Sequence, residues 1–263
     1  FNQPVRGEIP PLTPLRSIMA LMLREMGSTY GQSPGGYVWA IIQPIGFILV
    51  LAVGFRLLLR APALGTSFVM FYATGYLTYD IYNQLMSKIL GALKYSKAML
   101  AYPRVIWLDA ILARFFLNFL TLVTVFCIVI AGLLIFIKTR SIISFEPIIE
   151  GIAIAAAFGL GVGMVNCLLI GLFPVWDIVW KILTRPMFIA SGVLFIFEDM
   201  PPLAQSILWW NPIMHATGLV RQGFYANYHA SYVSLGYSFG ISLLLITTGL
   251  LFLQAYHKKI LTR

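Results

Sequence analysis

Six long apolar stretches restrict the fold of this 263-residue chain more than any other feature of its sequence. Apolar residues make up 60% of the chain and charged residues 10%, whereas about a quarter of an ordinary soluble domain is charged. A helix of roughly 20 apolar residues crosses a hydrocarbon core about 30 Å thick. We therefore expect an all-α polytopic membrane protein with a single transmembrane domain over residues 1–263. Six spans are predicted, at Tyr37–Leu59, Thr66–Ser87, Val105–Ile137, Pro147–Phe173, Val179–Phe197 and Val233–Tyr256.

The lysines and arginines orient these spans, because short cytoplasmic loops carry an excess of both residues. With both termini inside, twelve of them fall on the inner side: Arg6, Arg16, Arg24, Lys88, Lys94, Lys97, Arg104, Lys181, Arg185, Lys258, Lys259 and Arg263. Five fall on the outer side: Arg56, Arg60, Lys138, Arg140 and Arg221. We therefore predict cytoplasmic termini. The net charge of +9 is interpreted as a topology signal and not as affinity for nucleic acid.

Two segments on the inner side are predicted to be helical without crossing the membrane. Residues 13–30 begin at Thr13-Pro14, a cap followed by proline at the first helical position, and their apolar face is typical of an interfacial helix. Residues 88–103 carry three lysines and stop at Pro103, which is typical of a coupling helix. Contact with a cytoplasmic partner is one interpretation of both segments. The other is a plain membrane anchor for the first and an ordinary basic loop for the second.

The segment before the last span is broken by prolines. Pro201-Pro202 and Asn211-Pro212 divide residues 198–232 into two short helices that are too short to cross a bilayer. We expect these helices to dip back from the outer side and cap an exit. The alternative is an amphipathic loop on the outer surface. The residues that mark the segment are Trp210, Asn211, Pro212, His215 and Arg221.

Motifs for chemistry are missing from the sequence. It has no phosphate-binding G-x-x-x-x-G-K-[ST] loop, its three histidines are scattered, and no Cys, His and carboxylate cluster has the spacing of metal ligands. A nucleophile, base and orienting acid cannot be assembled from local motifs either. We expect no catalytic residues and no cofactor in this chain, so any reaction belongs to another polypeptide.

Three sequence blocks carry a resemblance to a known family. They are Gly36–Pro44 at the start of the first span, Tyr102-Pro103-Arg104 with Asp109, Ala113 and Arg114 at the third, and Trp210–His215. In this order they resemble the permease of type-2 ABC exporters. Within that group the chain is most similar to the capsular polysaccharide export permeases of Gram-negative bacteria, although O-antigen and teichoic acid exporters share much of the pattern.

The resemblance implies a homodimer of six-helix subunits in the inner membrane, with two copies of a separate ATPase subunit that binds ATP and Mg²⁺. It also implies a lipid-linked glycan that passes through the dimer interface, and a periplasmic export adaptor protein. The residues 198–232 would form the periplasmic gate. Coupling to the ATPase subunit would involve Arg16, Arg24, Lys94, Tyr95 and Lys97.

Tyrosines on the second span are candidates for lining a glycan path. Tyr72, Tyr76, Tyr79 and Asn83 recur at helical spacing on one face, and phenol hydroxyls inside a membrane need partners or water. A hydrated conduit would supply water and would let the rings stack on sugars. A packed helix interface is the alternative. Four further residues are assigned to the conduit, namely Trp39, Arg56, Arg60 and Arg114.

Charged residues inside spans are functional candidates by default. Asp80 and Arg114 come to similar depth on consecutive antiparallel helices, so we predict an ion pair between them. The alternative is that Arg114 lines the path of an acidic polymer. In the fourth span, small residues from Ala153 to Gly163 are interpreted as a close-packing surface, with a gating hinge as the other possibility.

Two functions from other classes and one from the same superfamily are the alternatives. A secondary transporter would show internal repeats or interrupted spans, and only Asp80 favours it. A membrane-embedded glycosyltransferase needs a polar catalytic cluster outside the spans. The pair Glu198-Asp199 alone is weak evidence for such a cluster. An exporter of drugs or small lipids from the same superfamily is the nearest competitor of the glycan exporter.

Overall fold

The computed structural model describes residues 13–30, 35–97, 106–137 and 143–262. These residues form helices and connections, with no β-strand among them, so the predicted all-α class is confirmed. The helices are α1 (Thr13–Tyr30), α2 (Gly36–Leu58), α3 (Phe68–Leu90), α4 (Ala92–Ser96), α5 (Trp107–Phe136), α6 (Phe145–Leu172), α7 (Trp176–Ala190), α8 (Pro202–Leu208), α9 (Pro212–Phe224) and α10 (Leu235–Thr262). A 3₁₀ turn at Phe197–Asp199 precedes α8.

Local signals explain where two of the long helices begin. The Ser67 hydroxyl accepts a hydrogen bond from the Met70 backbone N–H at 3.4 Å and caps α3. The Asp109 carboxylate accepts from the Ile106 backbone N–H at 3.2 Å in the first turn of α5, where a negative charge also complements the helix dipole. Asp109, one of the charged residues of the predicted spans, is therefore a capping residue.

Four of the described helices, α2, α5, α6 and α10, are long and apolar enough to cross a membrane. The predicted fifth span is wrong in its bounds, because the helix begins at Trp176 and ends at Ala190. Its 15 residues extend about 22 Å at 1.5 Å per residue. The chain turns at Gly192, whose φ is 71°, a conformation that strongly favours glycine. A β-carbon there would also lie 2.5 Å from the Met214 sulfur.

Helix α6 lies at the centre of the molecule and packs against α3, α9 and α10. Its glycines permit the close approach: a β-carbon at Gly159 would lie 3.0 Å from the Tyr82 carbonyl oxygen on α3. At Gly161 it would lie 2.8 Å from the Leu245 β-carbon on α10. The packing interpretation of the small residues in the fourth span is therefore confirmed.

Several helix ends meet at one end of the molecule, which we call the basic end. Arg114, in the second turn of α5, contacts the last turn of α3 and also α1. Gly171, near the end of α6, lies against Ile260 near the end of α10. This is the end that the charge distribution predicts to be cytoplasmic.

Two helices leave much of their apolar surface uncovered within one chain. None of the residues of α7 is buried, and few of those of α2 are. The exposed large apolar side chains of these two helices include Val38, Trp39, Ile42, Leu49, Val50, Val53, Leu57, Ile178, Ile182, Leu183 and Ile189. Lipid or another protein surface must cover them, because exposed apolar patches of this extent are unfavourable in water.

Candidate functional site

The predicted breaks at the two prolines are present, since α8 begins at Pro202 and α9 at Pro212. Almost every residue of α9 is buried, between α3 and α6. A β-carbon at Gly223 would lie 2.8 Å from the Ser144 carbonyl oxygen before α6, and one at Gly151 would lie 2.7 Å from the Ala216 carbonyl oxygen. Helix α9 therefore runs antiparallel to the first turns of α6.

Asn211 fixes the start of α9 in two ways. Its side-chain oxygen accepts a hydrogen bond from the Ile213 backbone N–H at 3.1 Å, which caps the helix. Its side-chain nitrogen donates to the Ala190 carbonyl oxygen at 2.9 Å, at the last residue of α7. Pro212 occupies the first helical position, where a missing N–H costs nothing. The Asn-Pro pair thus both starts α9 and ties it to the end of α7.

His215 joins α9 to the segments on either side of it. Its Nδ1 lies 3.2 Å from the Ser234 backbone nitrogen, which donates to it. Its Nε2 lies 2.7 Å from the Trp209 carbonyl oxygen, so Nε2 is the protonated ring nitrogen of a neutral imidazole. The neighbouring Trp210 is 65% exposed, and its carbonyl oxygen accepts from the Tyr237 hydroxyl at 2.7 Å.

Arg221 is fully buried, in a segment that the charge count places on the outer side. Its guanidinium donates to the carbonyl oxygens of Phe195 at 2.7 Å and Val193 at 2.9 Å, and its carbon lies 4.1 Å from the centroid of the Phe71 ring. The described residues place no carboxylate within ion-pair distance of it. Backbone carbonyls and an aromatic face therefore stabilise this charge.

Two tyrosines that follow α9 bind the 3₁₀ turn and α9 itself. The Tyr228 hydroxyl donates to the Glu198 carboxylate at 3.0 Å, and the Tyr232 hydroxyl donates to the Met214 carbonyl oxygen at 3.0 Å. Burial, and secondarily the charge of Glu198, raises the pKa of the Tyr228 phenol. Its proton is therefore retained at neutral pH, and the bond tethers the 3₁₀ turn to the loop after α9.

The tyrosine face of α3, which we define as Tyr72, Tyr76 and Tyr79, is packed within the single chain. The three side chains are 1%, 8% and 6% exposed. Tyr76 lies with its ring centroid 4.5 Å from that of Phe47 on α2, and Tyr79 lies 5.3 Å from Phe188 on α7.

The remaining conduit candidates do not join the tyrosine face within one chain. Asn83, one turn beyond the face, is half-buried, and Trp39 is exposed on α2. Arg56 and Arg60 are exposed at the end of α2 and just after it, well away from the basic end. Arg114 points to α1, α3 and α4. The conduit role of these residues stays a prediction.

The predicted ion pair between Asp80 and Arg114 is wrong. The Asp80 carboxylate accepts a hydrogen bond from the Gln84 side chain at 2.7 Å, whereas Arg114 forms its ion pair with Glu25 on α1 at 3.1 Å. Counting residues along two helices gives depth but not the direction in which each side chain points. Such a count also gives no information on α1, whose Glu25 brings a carboxylate to the start of α5.

The predicted coupling residues lie at the basic end. Lys94 and Lys97 are exposed at the short helix α4, Tyr95 is 45% exposed, and Arg24 is exposed on α1. The side chain of Arg16 and residues 98–103 of the predicted coupling helix lie outside the described residues. A cavity of about 490 Å³ lies beside α4, and its lining includes Leu93, Lys94, Lys97, Ile170, Pro174 and Asp177.

Sequence reasoning missed three contacts of this site. Glu25 was not singled out, although it is the one acid of a helix whose other charged residues, Arg16 and Arg24, are basic, which is a usable signal. The aromatic partners Phe47 and Phe188 carry no signal of their own, because the chain has 19 phenylalanines. The carbonyl oxygens that hold Arg221 cannot be identified from side-chain types at all.

Comparison with known proteins places these features in a family context. Residues 16–225 match the sequence profile of the family described as ABC-2 type transporter. This range runs from the first turn of α1 to the residue after α9. It therefore includes Arg114, the tyrosine face and Asn211.

Three bacterial proteins are similar over almost the whole chain. The chain is 26% identical over 246 residues to the polysialic acid transport protein KpsM of Escherichia coli, which covers 94% of this chain and 95% of that protein. It is 24% identical over 248 residues to the capsule polysaccharide export inner-membrane protein BexB of Haemophilus influenzae, covering 93% and 92%. It is 27% identical over 247 residues to the capsule polysaccharide export inner-membrane protein CtrC of Neisseria meningitidis serogroup B, again covering 93% and 92%.

Proposed function

This chain belongs to the ABC-2 type transporter family, and we propose that it is the permease subunit of an ATP-driven exporter of capsular polysaccharide in the bacterial inner membrane. The observation that carries the proposal is the similarity along 93% or more of the chain to three proteins named for transport of capsule polysaccharide or polysialic acid. The substrate we propose is a lipid-linked glycan. The permease itself has no enzyme activity.

ATP hydrolysis belongs to two copies of a separate ATPase subunit, which hold ATP and Mg²⁺. The permease sequence has no phosphate-binding loop of its own. The ATPase subunits contact the basic end, where α1 and α4 present exposed cationic and aromatic side chains. The contact residues we propose are Arg16, Arg24, Lys94, Tyr95 and Lys97.

Two copies of the permease form the conduit. Helices α2 and α7 leave wide apolar faces uncovered, and these faces suit contact with a second copy or with lipid. A polymer longer than the membrane is thick cannot be enclosed whole, so a continuous path between the two copies is required. Each copy contributes six spans, with α3 and the short α7 among them, and both termini are cytoplasmic.

The path is opened by movement of α2 and α7. In the single chain Phe47 and Phe188 cover Tyr76 and Tyr79, and none of the residues of α7 is buried. A displacement of α7 would therefore carry Phe188 away from Tyr79 and uncover the tyrosine face to stack on sugar rings. Trp39, Asn83, Arg56 and Arg60 extend this lining toward the two membrane surfaces.

The segment from α8 to α9 closes the outer end of the path. Its helices re-enter the membrane from the periplasmic side, and Asn211 links its turn to the end of α7. Movement of α7 is thereby transmitted to the gate residues Trp210, Pro212, His215 and Arg221. A periplasmic export adaptor protein receives the glycan beyond this gate.

The first experiment is deletion of the gene in its host, with extraction of the intracellular glycolipids. We expect an acidic lipid-linked polysaccharide to accumulate inside the cell, with none at the surface. Complementation in trans with the intact gene should restore the surface polymer. The deletion strain that carries the vector without the gene is the matched control.

Other outcomes would contradict the proposal in distinct ways. A trapped neutral O-antigen, or a trapped teichoic acid, would assign the chain to a sister class of glycan exporter. A normal surface glycan with altered sensitivity to drugs or small lipids would indicate small-molecule efflux. Transport that continues without ATP and follows an ion gradient would indicate a secondary transporter.

A further inference from the structure

Arg114 connects three helices at the basic end through one buried guanidinium. We propose that Arg114 is the residue that transmits movement of α1 and α4 into α5, with Glu25 as its partner on α1. This inference rests on the proposed function, in which α1 and α4 receive the motion of the ATPase subunits. It gives Arg114 a positioning role in coupling instead of a place in the conduit.

The contact with α1 is specific in its geometry. Arg114 Nη2 lies 3.1 Å from Glu25 Oε1, and Arg114 Nε donates to Glu25 Oε2 at 3.3 Å. Both carboxylate oxygens are thus engaged by one guanidinium, an arrangement that fixes direction as well as distance. The two side chains are only 8% and 9% exposed, so solvent and salt screen the pair weakly.

The same guanidinium holds the end of α3 and the short helix α4. Arg114 Nη1 donates to the Lys88 carbonyl oxygen at 2.9 Å, in the last turn of α3, where carbonyls lack helical N–H partners. The guanidinium carbon lies 4.1 Å from the centroid of the Tyr95 ring on α4. Displacement of either α1 or α4 must therefore move Arg114 or break its contacts.

The connection to α5 is rigid. Arg114 lies in the second turn of this 30-residue helix, and its own carbonyl oxygen accepts a hydrogen bond from the Asn118 side chain at 2.7 Å. The Arg114–Glu25 ion pair joins two different helices, α5 and α1. The Lys181–Asp177 pair, by contrast, lies within α7 and is exposed. A force applied at the basic end consequently reaches α5 through Arg114.

The test uses the full permease with its ATPase subunit in lipid nanodiscs. A Cys167→Ser background leaves Cys127, which is exposed on α5, as the single cysteine for a spin label. Pulsed electron paramagnetic resonance then measures the distance between the two Cys127 labels of a dimer, with and without ATP. ATP hydrolysis is measured in the same preparation, and surface glycan is measured in cells.

Arg114→Lys keeps the charge but cannot hold both Glu25 oxygens and the Lys88 carbonyl at once. We expect the complex to assemble and hydrolyse ATP at nearly the normal rate. The ATP-dependent change in the Cys127 distance should be lost, and export should fall about tenfold or more, which corresponds to about 1.4 kcal/mol or more. Glu25→Gln should also keep ATP hydrolysis and reduce the change in the Cys127 distance, but by less than Arg114→Lys.

Lys181→Gln is the matched control, because it removes the exposed ion pair at the same end and should leave all three measurements unchanged. If Arg114→Lys does not fold, Glu25→Gln keeps Arg114 and removes only the charge of its partner on α1, and it should uncouple movement from hydrolysis in the same way.

The inference is overturned if the Arg114→Lys or Glu25→Gln protein keeps the normal Cys127 distance change. It is also overturned if hydrolysis, the distance change and export all fall in proportion to the amount of folded protein. Because the distance change needs no glycan, a wrong substrate assignment would leave this test intact.

Discussion

The guanidinium carbon of Arg221 on α9 lies 4.1 Å from the centroid of the Phe71 ring on α3. The same guanidinium donates to two carbonyl oxygens in the turn after α7. One buried charge therefore holds together α3, α9 and the connection from α7 to the 3₁₀ turn. These hydrogen bonds from Nη1 and Nη2 offset part of the cost of burying the charge, so the position of α9 depends on the position of that turn.

Arg221→Met should destabilise the protein strongly. It leaves the carbonyl oxygens of Val193 and Phe195 buried without donors, at about 1–3 kcal/mol for each group. We expect a lower midpoint of thermal unfolding in detergent and less protein in the membrane. Arg185→Met, at an exposed position of α7, is the control and should leave the midpoint unchanged. Equal midpoints for the two variants would show that the contacts of Arg221 contribute nothing to stability.

Asn211→Asp separates the two roles of Asn211. Aspartate still caps α9 by accepting from the Ile213 N–H, but it has no N–H to donate to the Ala190 carbonyl oxygen. We expect this variant to unfold at a lower temperature than wild type, since a carboxylate then faces a carbonyl oxygen across the link between α7 and α9. Export should fall further than the amount of folded protein. Asn211→Ala loses both the cap, worth roughly 1 kcal/mol, and the donor to Ala190, but it introduces no charge.

The long helices could be predicted from the sequence because their length is set by the membrane. Helices α2, α5 and α6 begin and end within about two residues of their predicted bounds, as expected when the length of the apolar stretch sets the ends of the helix. Helix α7 could not be predicted in the same way. Its apolar composition continues past Ala190, and only the turn at Gly192 against Met214 ends the helix.

The candidate site was predictable in its breaks but not in its contacts. Proline and asparagine marked the starts of α8 and α9, because both residues act through local backbone geometry. The burial of Arg221 depends on backbone carbonyls of another segment, and the partner of Arg114 depends on the angle at which α1 packs. Neither is encoded in local spacing, which is why the burial of Arg221 was not predicted and a pair between Arg114 and Asp80 was expected.

Gly151→Ala should loosen the contact between α6 and α9. An added β-carbon would lie 2.7 Å from the Ala216 carbonyl oxygen and 2.7 Å from the Val220 Cγ2 atom, and overpacking of this kind costs about 1–3 kcal/mol. Gly132→Ala on α5 is the matched control, since nothing lies within 4 Å of its added carbon and alanine favours helices. We expect thermal unfolding at a lower temperature for the first variant only. A smaller effect at Gly151 than at Gly132 would contradict the α6–α9 packing.

The tyrosine face offers a test that separates lining from packing. In Tyr76→Phe/Tyr79→Phe the rings remain against Phe47 and Phe188, whereas Tyr76→Leu/Tyr79→Leu removes aromatic contacts worth about 0.5–1.5 kcal/mol each. If the rings stack on sugars, the leucine variant should assemble with the ATPase subunit yet export roughly tenfold less, as expected for about 1.4 kcal/mol.

The phenylalanine variant should keep more of the export, because it lacks only the hydroxyls. Complex recovered from the membrane and surface glycan are the two measurements for each variant. Normal export by the leucine variant would show that these tyrosines only pack. If the amount of assembled complex falls as much as export does, these tyrosines also only pack. Tyr76 and Tyr79 would then act through the contacts that join α2, α3 and α7.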